Sequence, residues 1–65
     1  MLVMIRMKGE KGRRLYKVLA TSHTVMRHRL VRTAMREFRP DGRLEELRFY
    51  PDLAAYMVAR SINID

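Results

Sequence analysis

The chain contains no cysteine, which excludes a disulfide framework and a thiolate-based zinc site as sources of stability. Its two histidines, His23 and His28, are five residues apart and miss the i, i+4 spacing that sets two ligands on one helix face, so they read as ordinary surface residues. No metal or cofactor is expected. Long apolar runs are also missing: none approaches the roughly 18 residues needed to cross a bilayer, and the start, MLVMIRMKGEKG, is interrupted by Arg6 and Lys8 before a signal-peptide core forms. The expected chain is soluble and has no membrane partner. A catalytic constellation is lacking as well. Ser22 and His23 are adjacent, but no acid is placed to orient the imidazole, and Glu45 and Glu46 would point to opposite faces of a strand. The expectation is a non-enzyme with no small-molecule substrate.

Acidic residues are scarce, and their scarcity is uneven. Residues 1–39 carry eleven cations (Arg6, Lys8, Lys11, Arg13, Arg14, Lys17, Arg27, Arg29, Arg32, Arg36 and Arg39) against Glu10 and Glu37, whereas the rest is slightly acidic. The net charge is +7. Most of the cations are arginine, whose planar fork suits bidentate phosphate contact, and a basic stripe on a small domain is the footprint of a polyanionic partner. Size points to a partner too, because 65 residues form one domain whose core supplies only about 3–5 kcal/mol.

Along the chain, LVMIRMK (2–8) has β-branched, alternating character and suits a strand with one well-buried face. GEKG (9–12) is a turn. RRLYKVLATS (13–22) returns to strand character, with Tyr16, Val18 and Ala20 on one face, so residues 2–21 propose a hairpin with a basic loop. Residues 23–39 change period. With Thr21 or Ser22 as N-cap, Met26, Leu30, Val31, Ala34, Met35 and Phe38 fall on one side of a helix, and His28, Arg29, Arg32, Arg36 and Arg39 on the other, with Arg27 intruding on the apolar arc. Pro40 ends it. PDG (40–42) is a turn, since proline presets φ, aspartate bonds the backbone ahead and glycine tolerates positive φ. RLEELRFY (43–50) reads as a strand, although LEEL alone also suits a helical turn. The final segment is open on periodicity: Pro51 and Asp52 would start a helix, yet YMVARSINI alternates like a strand.

Three stretches in order resemble one family. VMIRMKGEKGRRLYKVLATS (3–22), DGRLEELRFYP (41–51) and ARSINID (59–65) are similar to the opening hairpin, the Asp-Gly-Arg turn with its following strand, and the last strand of the bacterial-type small-subunit ribosomal protein family numbered sixteen. The departures are a basic insertion at about 23–40, Arg14 where the family has proline, Arg48 where it has glycine, one residue fewer between Glu46 and Leu47, and no Trp-containing C-terminal region. Such a shortened form fits a mitochondrial ribosome better than a bacterial or plastid one.

The resemblance implies a single α+β domain over residues 1–65. Its sheet is mixed or antiparallel and four-stranded (about 2–8, 13–21, 43–50 and 57–64), and the tail becomes a strand; the one basic helical segment (about 23–38) lies in the insertion, about which the resemblance implies nothing, and is expected from periodicity alone. The resemblance also implies a structural role in the small ribosomal subunit, with small-subunit rRNA and neighbouring ribosomal proteins as partners. The candidate RNA-binding residues are Arg6, Lys8, Lys11, Arg13, Arg14 and Lys17 of the hairpin, Arg43 of the turn, and Arg29, Arg32, Arg36 and Arg39 of the helical segment. They would neutralise phosphates and read shape more than bases. The competing expectation is a small protein-interaction module or regulator that sets an arginine-rich face on an acidic partner.

Overall fold

A computed structural model describes residues 1–62. The fold is α+β: strands β1 (Leu2–Met7), β2 (Arg14–Lys17) and β3 (Leu44–Tyr50) make one antiparallel sheet in the order β2-β1-β3, accompanied by helices α1 (Arg29–Thr33) and α2 (Leu53–Ile62). Among the described residues the sheet has three strands, against the four expected.

β1 is paired on both sides, and its sequence explains why. Leu2, Val3, Met4 and Ile5 are all buried, as the continuous apolar run of a strand covered on both faces requires. Val3 and Ile5 pack with Val18, Val25, Val31 and Ala34, whereas Leu2 and Met4 pack with Tyr56 of α2. The expectation of one buried face undercounts, because α2 covers the other.

The hairpin forms with a shorter second strand than the expected 13–21. Gly9 adopts φ 87°, the left-handed conformation that glycine accepts without strain, and the Glu10 N–H donates to the Met7 carbonyl at 3.0 Å. Beyond Lys17, Val18 and Met1 still exchange two hydrogen bonds, of 2.9 and 3.0 Å. The Ala20 N–H then turns back onto the Val18 carbonyl at 3.0 Å, which takes the chain out of the sheet and leaves Leu19 exposed.

The segment expected as one helix over 23–38 is built in three pieces. A 3-10 turn covers Val25–Arg27, His28 is extended (φ −64°, ψ 139°), α1 follows, and a π turn over Ala34–Phe38 completes the run. The N-cap of α1 is His28, whose Nδ1 accepts from the Leu30 N–H at 3.1 Å, and not Thr21 or Ser22. The break shifts the apolar face by one position, so Val25 is buried while Met26 is exposed, and Arg27 is released outward. In the π turn the Arg39 N–H reaches the Ala34 carbonyl at 2.9 Å, five residues back, and the wider turn keeps Ala34 and Phe38 on the core side.

The PDG turn forms as its chemistry requires. Gly42 has φ 79°, and Asp41 Oδ1 accepts from the Arg43 N–H at 3.2 Å. β3 then pairs with β1 through Arg6↔Glu46 and Met7↔Leu44, so Glu45 is an extra residue and forms a bulge. The bulge turns Leu44 to the same face as Leu47 and Phe49, where all three pack on the core.

The expected strand at 57–64 is not formed: Leu53–Ile62 is helical, and residues 63–64 lie outside the described residues. Asp52 decides the matter locally, since its Oδ1 accepts from the Ala55 N–H at 2.8 Å, capping a segment that opens with the helix formers Leu53, Ala54 and Ala55. Tyr56 is buried against Leu2 and Met4 and meets Tyr50 edge to face, with ring centroids 5.2 Å apart.

Candidate nucleic-acid interface

The hairpin loop and the PDG turn meet at one end of the sheet, because the Lys8 N–H donates to the Arg43 carbonyl at 2.7 Å. Lys8, Lys11, Arg13 and Arg43 are exposed there. Arg43 is internally occupied: its Nε bonds Asp41 Oδ2 at 2.6 Å, and its guanidinium lies 4.8 Å from the centre of the Phe38 ring. Arg14 is held by Glu10, four residues earlier. Lys17 is exposed but stands at the far end of β2, opposite Leu2, apart from the loop group.

On the sheet face that carries Leu2 and Met4, three arginines converge on Glu46. Arg48 Nε approaches it at 2.6 Å, Arg6 Nε at 3.4 Å and Arg13 Nε at 3.9 Å, and Arg6 also reaches Glu45 at 3.8 Å. Arg48's hydrogen bond, with Arg6 and Arg13 adding to it, holds the Glu46 carboxyl below the usual carboxylate range against the opposing effect of partial burial. Beside this cluster runs an open groove of about 780 Å³ between β3 and α2, lined by Arg13, Arg48, Arg60, Glu46, Tyr50 and Tyr56 among others. Arg60 sits one turn after Tyr56 on α2.

The opposite face of the sheet is covered by the helical segment, whose outer surface is basic. Arg29, Arg32, Arg36 and Arg39 are exposed, and none of the four makes an ion pair among the described residues; Arg39 makes one contact with the Met35 sulfur at 3.6 Å. The spacing of 29, 32 and 36 sets these three guanidinium groups along one strip. The candidate residues therefore fall into a loop end, a Glu46 cluster and a helical strip, with Lys17 apart. Arg48 and Arg60 were not among the candidates. Arg48 is found only once its pairing opposite Met4 is known, and Arg60 only once the tail is helical.

Comparison with protein-family models, curated proteins and solved structures gives no match to this chain.

Proposed function

We propose that the protein is a structural RNA-binding module that holds folded RNA through phosphate contacts. The observation that carries this reading is the strip of Arg29, Arg32 and Arg36, exposed and free of acidic partners among the described residues. Cations already engaged by a carboxylate give up an interaction when they turn to a phosphate, whereas free ones lose only water and counterions. The strip is therefore the primary contact, and Lys8 and Lys11 at the loop end extend it.

The small ribosomal subunit is the particle we assign, on the hairpin and Asp-Gly-Arg motifs. The third motif no longer contributes, since residues 59–62 lie in α2 and the rest lies outside the described residues. A protein partner is the second reading, favoured by the outward apolar side chains Met57, Val58 and Ile62 of α2, which are 60–71% exposed.

The test measures affinity for structured RNA across a salt series, for the natural chain and for Arg32→Gln/Arg36→Gln. If each arginine neutralises one phosphate, the double variant loses about 1.4–1.8 from the slope of log K against log salt. An unchanged slope overturns the strip as the contact. Sedimentation of the tagged protein from a native lysate, with and without nuclease, tests the particle: migration with the small subunit supports the assignment, and a nuclease-resistant complex elsewhere favours the protein partner.

A further inference from the structure

We propose that the groove between β3 and α2 is a second binding site, for the phosphate of a single nucleotide unit, with Arg13, Arg48 and Arg60 as its ligands. It deepens the RNA reading and rests on it for the source of that phosphate.

The way Glu46 is contacted is the first support. Arg48, Arg13 and Arg6 are paired with it through Nε, at 2.6, 3.9 and 3.4 Å, and among the described residues the terminal amino groups of Arg13 and Arg48 donate no hydrogen bond to a carboxylate. The carboxylate holds the Arg48 guanidinium by a hydrogen bond at 2.6 Å and draws Arg13 toward it by charge, which reduces the ordering cost of a bidentate anion contact. Charge is the second support. The groove lining carries Arg13, Arg48 and Arg60 against the single carboxylate of Glu46, and Arg60 faces the cluster from the other wall with no ion pair of its own among the described residues. The two non-bridging oxygens of a nucleotide phosphate match the planar fork of a guanidinium, and three such groups around one anion suit a phosphate.

Size and floor give the third support. A groove of about 780 Å³ lies in the range of roughly 300–1,000 Å³ typical of small-ligand sites. Its aromatic wall is the partly exposed Tyr50, held edge to face by the buried Tyr56, against which a base or ribose packs while the phosphate meets the arginines. The groove is on the sheet face opposite the helical strip, so the two surfaces take different parts of an RNA, the strip a folded region and the groove an unpaired nucleotide.

The experiment follows the arginine Nε–Hε NMR signals of the full chain during titration with pyrophosphate and, separately, with a tetranucleotide of single-stranded RNA. The Arg13, Arg48 and Arg60 signals are expected to shift with both probes. Arg60→Gln, which removes no ion pair among the described residues, is expected to weaken tetranucleotide binding about tenfold, as is Arg48→Lys, which keeps the charge but loses the fork. Arg32→Gln/Arg36→Gln is expected to weaken structured-RNA binding while the Arg13, Arg48 and Arg60 signals still shift with the tetranucleotide. Tighter binding of the tetranucleotide than of pyrophosphate assigns the phosphate to an RNA strand; equal binding assigns it to a free phosphate ligand and keeps the site. Unmoved groove signals, or an Arg60→Gln chain that binds both probes as the natural one does, overturns the site. In that event the salt-slope test of the strip still decides the RNA reading by itself.

Discussion

Glu46 is the acidic residue on which three of the ion pairs meet, and it acts as a fastener as well as a charge. Its carboxyl is held below the usual range, chiefly by Arg48. A group depressed in the folded state contributes stability above its unfolded pKa and loses it as pH falls through the folded value. Replacing Glu46 with Gln is therefore expected to lower the melting temperature at neutral pH, by an amount corresponding to about 1 kcal/mol for a partly exposed network. The gap to the natural chain should close as the pH drops below the carboxylate range. Melting curves for both chains at neutral and strongly acid pH check this; a constant gap would mean that Glu46 contributes through packing and not through its charge.

At the scale of the element, the bulge in β3 makes an unusual pair of deletions informative. Leu44 and Glu46 face opposite sides only because Glu45 is the extra residue between them. Deleting Glu45 turns the bulge into a regular ladder and leaves every side chain on its present face, whereas deleting Arg48 flips one end of the strand relative to the other. The first variant is expected to fold with dispersed amide signals, and the second to lose them; equal damage from both would contradict the register. The same bulge explains what was hard to read in the sequence. Leu44 and Leu47 both reach the core from positions three apart, which is a helical spacing inside a strand, and only the aromatic pair Phe49–Tyr50 tipped the balance correctly. The helix at the tail was present in the residues as Pro51–Asp52, but the alternation in YMVARSINI and a family resemblance argued for a strand. The Asp52 cap and the burial of Tyr56 on Leu2 and Met4 prevailed, and the second of these is a tertiary contact that no local pattern reveals. The break at His28 was equally hidden, since histidine is not among the usual N-capping residues. For the candidate site, the abundance of arginine was legible. Which arginines are already held by carboxylates, and that Arg13, Arg48 and Arg60 share a groove, depends on strand register and on the tail being helical.

As a whole the molecule is thin. The described residues extend 31 × 29 × 13 Å with a radius of gyration of 12.0 Å, against about 11 Å expected for a compact chain of this length. A thin slab has little interior, and α2 leaves Leu53, Met57, Val58 and Ile62 largely in water. The isolated chain is therefore expected to melt broadly and only modestly above room temperature. Structured RNA at 100 times its Kd should add about 2.7 kcal/mol, an effect that raised salt removes. Calorimetry with and without RNA checks this, and a sharp, high transition indifferent to RNA would contradict it. The thinness has its origin in β1, where four consecutive residues serve both sides, Val3 and Ile5 beneath the helical segment and Leu2 and Met4 beneath α2. That run is the common keel of two surfaces, joined beside it by Leu47 and Phe49, which pack on the core beneath the helical segment and also reach the groove. A substitution in the run that loosens one side disturbs the other through the same backbone, so the strip and the groove would lose their shape together even though each meets its ligand alone.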